Sequence, residues 1–200
     1  MPGPGETSDR TQETAAAGLR RLRRAFAADR RGAAAVEFTL LAVPFLALLC
    51  VVVESAMMTF AQQTLDTAMG RATRVLRTGE FQDAADGTDP SRRLQRTMCG
   101  GGVVFFRCDD LKLDLTRSAS FSNTQVAAPY DSQKKTWATG FGTNFQCPQG
   151  DDVIALRAAV PVLRLFGFMD FTRQSMGGNL QLLVATAIFR AEPYSGKSCV

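Results

Sequence analysis

The sequence contains no histidine. That excludes a Ser-His-Asp or Cys-His nucleophile, imidazole metal ligands and a histidine proton shuttle together. Charge is missing from one place as well: no Asp, Glu, Lys or Arg lies between Glu37 and Glu54. There is no Cys-x-x-Cys pair, which weighs against a zinc site built from thiolates. The run Gly100-Gly101-Gly102 lacks the Lys-Ser/Thr ending of a phosphate-binding loop and reads as a flexible turn. At 200 residues and 21.6 kDa the chain has room for one ordinary domain and a membrane anchor, but hardly for two folded domains with tails. Five cysteines and one long apolar run are the informative features that remain.

The net charge of +4 is unevenly spread. Residues 1–32 carry seven arginines against four acids, clustered late as Arg20, Arg21, Arg23, Arg24, Arg30 and Arg31. Such a cluster alone suits a nucleic-acid arm. Directly before an apolar run it fits a cytoplasmic anchor that obeys the positive-inside rule, and the basic pI of 9.0 then requires no nucleic acid. The run itself is Phe38–Val53, sixteen residues, short of the ~20 a spanning helix needs. Ala33–Val36 and Ser55–Ala61 extend it to 29 weakly polar residues interrupted only by Glu37 and Glu54. At 1.5 Å per residue the two carboxylates stand about 25 Å apart, so each sits near an interface of a bilayer with roughly 30 Å of hydrocarbon. One spanning helix follows, with residues 62–200 on the far side. A cleaved secretory signal fits poorly, because no small-x-small site follows Val53 and Ala25-Phe26-Ala27 precedes the run.

Three regions are expected: a basic leader over 1–32, an apolar and then amphipathic helix over 33–79, and an α+β domain over 80–200. Residues 1–18 have a disordered composition, and 19–28 form either a short basic amphipathic helix or a solvated arm. Beyond Glu54 the apolar residues Met58, Ala61, Leu65, Ala68, Ala72 and Val75 recur at steps of three and four, a helical stripe. Gln62, Gln63, Asp66, Arg71, Arg74 and Arg77 occupy the other face. Pro44 should kink this helix, Gly70 weakens it and Gly79 stops it. Residues 80–90 read as polar turns, with Asp89-Pro90 opening a short helix through Met98. Alternation in Leu111–Thr116 predicts a half-buried strand. Val153–Val162 and Leu180–Arg190 are two more strands, the last apolar on both faces and hence interior. Residues 122–150 read as a long polar loop holding Trp137. The domain is expected to be a small antiparallel sheet packed on the helix.

Cys50 lies in the apolar run and behaves as a small hydrophobe. Cys99, Cys108, Cys147 and Cys199 all fall on the translocated side, an even number that suits an oxidising compartment and two disulfides. Three pairings are open; Cys99–Cys108 with Cys147–Cys199 is favoured, one closing a short loop and the other pinning the C-terminal tail. Neither a metal nor a cofactor is expected, and no residue is assigned a catalytic role.

The most specific string is Arg30-Arg31-Gly32-Ala33-Ala34-Ala35-Val36-Glu37-Phe38. It resembles the processing site of type IV pilins and pseudopilins, where a prepilin peptidase cuts after the glycine and a glutamate is the fifth mature residue. Glycine, four small apolar residues, glutamate and an aromatic are most similar to the tight-adherence (Tad/Flp, type IVc) branch. Within it the chain resembles the TadE-like minor pilins or pseudopilins, through Val43-Pro44, Glu54, Phe60-Ala61-Gln62-Gln63 and Arg74-Val75-Leu76-Arg77-Thr78-Gly79. A weaker similarity covers Thr186-Ala187-Ile188-Phe189-Arg190-Ala191-Glu192-Pro193-Tyr194. The length argues against the larger TadG-like members.

The resemblance implies cleavage between Gly32 and Ala33 and a pairing role for Glu37 and Phe38 in subunit contacts. It also implies partnership with the prepilin peptidase, with other pilins and with the Tad secretion machinery, in adhesion or biofilm formation. The protein would be a non-enzymatic single-pass protein of a bacterial inner membrane, N-terminus cytoplasmic and C-terminal domain periplasmic. The alternative is a single-pass sensor or regulatory anchor whose N-terminus stays intact.

Overall fold

A computed structural model of the chain describes residues 32–166, 174–195 and 198–200. The expected disordered tail, the amphipathic segment 19–28 and the Arg30-Arg31 pair lie outside the described residues. The chain divides into two compact units, Met1–Cys50 and Val51–Val200.

Helix α1 runs over Ala33–Thr78, 46 residues, and remains helical through Pro44. In the first unit its described side chains are exposed on every side, Ala42 and Cys50 being half-buried. An 18-residue window here has a mean hydropathy of 2.5. A helix apolar all round wants an apolar solvent on all sides. Its Thr39 hydroxyl is accommodated accordingly, since Oγ1 donates to the Ala35 carbonyl at 2.7 Å.

In the second unit α1 turns one-faced. Ala61, Leu65, Ala68, Met69, Ala72 and Leu76 are buried, while Gln63, Asp66, Arg74 and Arg77 are exposed. The expected stripe is therefore present, with Met69 and Leu76 added and Met58 and Val75 only half-buried. Arg71, placed on the polar face, reaches across to donate to the Met98 carbonyl at 2.6 Å. It thereby satisfies the C-terminal end of α3 (Pro90–Cys99). Asp89 caps the start of α3, accepting from the Ser91 amide at 3.1 Å with Pro90 at the first helical position.

Residues 80–90 are less turn-like than their polarity suggests. Glu80–Asp83 form a short helix, α2, that buries Phe81 and Gln82. A residue such as Gln82 is polar by type but is sequestered by specific partners, which composition does not reveal.

The sheet has the order β1-β4-β6-β5, all neighbours antiparallel, with β1 Lys112–Ser118, β4 Val153–Leu163, β5 Ser175–Met176 and β6 Leu180–Arg190. One face, through Leu113, Leu115, Ile154, Leu156, Ala158, Val160, Leu183 and Ala185, shares a core with α1, Leu94 and Met98 of α3, and Phe81. The interior strand is β4, buried on both faces. The expectation that Leu180–Arg190 is interior holds only at its start. There β5 pairs Ser175 with Gln181 and Met176 with Leu180; further along Ile188 is exposed. Small residues such as Ala185 and Ala187 gave β6 its apolar look without requiring cover on both sides.

The long loop is also more structured than expected. It holds a two-stranded hairpin, β2 (Tyr130–Asp131) and β3 (Thr136–Trp137). Phe141, stacked on Trp137 at 5.8 Å, joins Ala159 and Leu182 in a second, smaller core on the other face of the sheet. The segment Asn144–Gln146 closes the free edge of β1, since Leu115 donates to Asn144 at 2.9 Å and accepts from Gln146 at 3.0 Å.

Gly79 ends α1 with φ 79°, the left-handed region that favours glycine, and a Cβ there would stand 2.9 Å from the Tyr194 ring. Gly70 has ordinary helical backbone and open space around its Cβ position. Gly79→Ala is therefore expected to destabilise the full chain in detergent by about 1–3 kcal/mol from the backbone alone, and Gly70→Ala to be neutral or to stabilise by up to ~1 kcal/mol. Equal thermal midpoints for the two variants would contradict this packing.

Candidate processing and assembly site

The junction singled out from the sequence lies at the start of α1. Gly32 is exposed and a Cβ on it would meet nothing within 4 Å, while Ala33 is the first α-helical residue. Gly32 itself has 3-10 helical backbone, and α1 continues directly from it. Glu37 and Phe38 follow one turn later, both exposed, Phe38 at 73%. Glu37 makes no ion pair with any described residue. A shallow apolar recess formed by Ala35, Val36, Thr39, Leu40, Val43 and Pro44 continues the surface. The structure thus presents a carboxylate that has no ion-pair partner among the described residues and lies among exposed apolar side chains.

The second acid of the apolar region has a different environment. Glu54, expected near a membrane interface, is the first fully buried residue of α1, at 3% exposure. Its Oε1 pairs with Arg164 Nε at 3.7 Å and its Oε2 accepts from the Phe166 amide at 3.1 Å. Arg164 is equally buried and donates from Nη1 to the Ser175 hydroxyl at 2.8 Å. This pair joins α1 to the end of β4. Sequence reading missed Arg164, although a lone cation inside Val162-Leu163-Arg164-Leu165-Phe166 is a signal for a buried partner.

The cysteines are brought together in two separate pairs, Cys99–Cys108 and Cys147–Cys199. The first ties the end of α3 to the turn before β1, where the Gln95 amide also donates to the Cys108 carbonyl. The second ties the tail to the segment that edges β1. Cys50 is unpaired. Among the described residues no three His, Cys, Asp or Glu side chains are grouped to hold a metal.

Two buried polar groups escaped the sequence reading. Arg93 donates from Nη2 to the Phe81 and Cys199 carbonyls at 2.8 and 3.1 Å, lies 4.2 Å over the Phe81 ring and pairs with Asp86 at 3.6 Å. Gln82 donates to the Pro148 carbonyl at 3.0 Å and to the Tyr194 hydroxyl at 3.1 Å. Burial pushes the Tyr194 hydroxyl above its ordinary pKa of 10.0, and the bond from Gln82 opposes that rise. The Thr88 hydroxyl and amide hold the exposed Asp86 carboxyl below the usual carboxylate range, with Arg93 and Arg96 adding to the effect. These are positional roles; none of the groups faces a cavity equipped for chemistry.

Residues 32–74 match the model of the family described as TadE-like protein. The chain is TadE-like over this stretch. Comparison with curated proteins and with solved structures gives no match. The matched stretch begins at Gly32 and takes in Glu37, Phe38, the apolar run, Glu54 and the buried stripe as far as Ala72. The match spans 43 of the 200 residues and so describes α1, not the sheet domain. The apolar helix at the start of the TadE-like region fits a single-pass membrane anchor.

Glu54 and Arg164 yield a stability test. Breaking a buried ion pair on one side leaves an uncompensated charge and costs about 3–5 kcal/mol, whereas replacing both partners by apolar residues is often close to neutral. Arg164→Met should accordingly lower the denaturant midpoint of the full chain strongly, and Glu54→Leu with Arg164→Met should recover most of the loss. Additive losses in the double variant would show that the two side chains do not act as a pair.

Proposed function

We propose that the protein is a minor pilin or pseudopilin of a Tad/Flp-type pilus, processed by a prepilin peptidase after Gly32 and inserted into a bacterial inner membrane with its domain periplasmic. The supporting observation is the conjunction at the junction: an exposed glycine at the mouth of a helix whose fifth residue is an exposed glutamate with no ion-pair partner among the described residues. Cleavage there leaves a new α-amine on Ala33. That amine, with an ordinary pKa near ~8, is largely protonated at neutral pH. Near the acyl chains it and Glu37 of a neighbouring copy or related pilin each gain by pairing, because either charge left alone in hydrocarbon is costly. A contact of one subunit's start with a different patch of the next is heterologous, and such contacts propagate into open filaments. Support for pilus assembly, adhesion and biofilm formation follows from that role.

The open space around Gly32 keeps the processing test clean, since a side chain at this position disturbs no packing. Edman sequencing of the membrane-bound protein from cells with active prepilin peptidase should begin at Ala33, and Gly32→Leu should leave the N-terminus uncut. An intact N-terminus in the unmodified protein would overturn the proposal in favour of a permanently anchored regulatory or sensor protein. Glu37→Ala should be processed and inserted normally yet lose incorporation into sheared pili. Normal incorporation of that variant would remove the subunit-pairing role.

A further inference from the structure

The apolar surface does not end with the run that stops at Val53. In the second unit Met57 and Phe60 remain exposed on α1, and Val103, Phe105, Leu163 and Leu165 stand exposed near them, all six between 46% and 81%. Phe60 and Phe105 are in ring contact at 5.9 Å, and the Phe105 amide donates to Thr64 Oγ1 at 3.4 Å. Met57, Phe105, Leu163 and Leu165 line one open apolar groove. Leu163 and Leu165 flank Arg164 and are thereby held level with Glu54. Met57, Phe60, Phe105, Leu163 and Leu165 come from α1, the turn after α3 and the end of β4, yet they form one rim, and exposed Val103 stands two residues before Phe105 in the same turn.

Water is a poor solvent for such a rim. Soluble monomers seldom expose contiguous apolar patches beyond a few hundred Å², and larger ones mark contacts. The height of this patch along α1 identifies the contact. About 20 residues cross the hydrocarbon, and a count from Phe38 ends at Met57. The headgroup region adds roughly 5–8 Å on each side, or about four to five helical residues, which reaches Phe60 and Ala61. The rim therefore coincides with the boundary between acyl chains and headgroups, the depth at which Phe and Leu side chains insert. Its charges agree with that depth. Glu54 and Arg164 are buried as a pair, and exposed Arg107, 3.4 Å from Asp110, is a long cation able to reach lipid phosphate.

We infer that Met57, Phe60, Val103, Phe105, Leu163 and Leu165 form a lipid-docking rim, which seats the domain in the headgroup–acyl boundary of the bilayer that α1 crosses. The inference rests on the single-pass reading of α1. Its consequence is that leaving the membrane costs more than extraction of the helix alone, because the rim must be desolvated of lipid or re-covered by neighbouring subunits.

The test uses the full chain in phosphatidylcholine vesicles with brominated acyl chains, which quench nearby tryptophan. Trp137, stacked on Phe141 over the far face of the sheet, is the domain reference. In a Trp137→Phe background, single tryptophans are placed by Phe105→Trp, by Leu165→Trp and by Val103→Trp, the last at the most exposed position of the rim. Leu46→Trp reports the apolar run. Retention of both disulfides shows that each variant is folded. The rim tryptophans should lose emission to bromolipid and shift to shorter wavelength, as Leu46→Trp does, while Trp137 of the unmodified chain keeps its emission. Quenching at Leu46→Trp alone overturns the rim and leaves the spanning helix standing. Absence of quenching at Leu46→Trp overturns the spanning reading itself. A shift to shorter wavelength without quenching at the rim means that protein, not lipid, covers it, and also overturns the inference.

Discussion

One helix changes from an exposed, mostly apolar stretch to a one-faced one, and the domain is built on the second of these. Up to Val53 the side chains of α1 are almost all apolar and exposed, Glu37 and Thr39 being the polar ones, and from Glu54 onward one face is buried. A helix with a single apolar face has no stability of its own to spare and needs a partner surface. The sheet supplies it through β1, β4 and the start of β6. Ala61, Ala68 and Ala72 keep the helix surface shallow, so that Leu65, Met69 and Leu76 interdigitate with Leu115, Ile154 and Leu156 in one core. Glu54 stands at the transition. Arg164 fixes its carboxylate against the end of β4, so the two stretches of α1 meet at a set residue.

The C-terminal tail completes the arrangement from the other end of α1. Beyond β6 the chain returns to the helix terminus, where the Glu192 amide donates to the Arg77 carbonyl at 2.9 Å and Tyr194 packs against Gly79. Cys199 then fastens to Cys147, a bridge across 52 residues of sequence, and the Cys199 carbonyl accepts from buried Arg93. Closing a long loop constrains the unfolded chain more than closing a short one. The Cys99–Cys108 bridge, nine residues apart, serves chiefly to fix the end of α3 beside β1. Cation, amide and disulfide thus converge where α1 ends, α2 begins and the tail stops. Loss of one of them leaves buried polar groups of the others unpaired, which explains why this corner is built from several different interactions.

How much of this was legible in the sequence depended on the range of the interaction. The apolar run, the stripe from Ala61 to Ala72, the Asp89-Pro90 start and the Gly79 stop are local, and residue type with spacing is enough to place them. The strands β1, β4 and β6 were equally readable from alternation or apolar runs. What failed was whatever depends on contacts distant in sequence. β4 is paired on both sides along most of its length and β6 only at its start, because β5 is two residues long, which apolar content does not encode. Phe81 and Gln82 looked like parts of a polar turn because their partners, Arg93, Pro148 and Tyr194, lie twelve to more than a hundred residues away. The loop over 122–150 was judged by its Ser, Thr, Asn and Gly content, yet Trp137 and Phe141 are enough to make it the cover of a second core. At the junction, the residues Gly32, Ala33, Glu37 and Phe38 are close together simply because they are consecutive. Their legibility therefore owes nothing to folding.

That last point bears on why the junction and the domain differ in kind. Every buried charge described in the domain has its partner within the same chain: Glu54 has Arg164, Arg93 has Asp86 and two carbonyls, Asp114 has the Asn144 side chain and the Gly142 amide. Glu37 has none among the described residues and is exposed in a stretch whose other side chains are mostly apolar. A folded domain cannot leave such a debt internally, since removing an unpaired acid from its core would be stabilising. An acid outside the domain is under no such pressure from folding, and there its cost falls only in the membrane. On the proposed processing, the leader that is removed carries a net +3 of the chain's +4, so the basic cluster that orients insertion is lost just as the Ala33 amine appears. The positive charge available to Glu37 then belongs to a mature N-terminus, and the helix of the same chain carries its own Glu37 one turn away on rigid backbone. Besides that carboxylate one turn away on its own helix face, a second subunit offset along the axis can present another, and on the proposed assembly that offset is what the filament repeats.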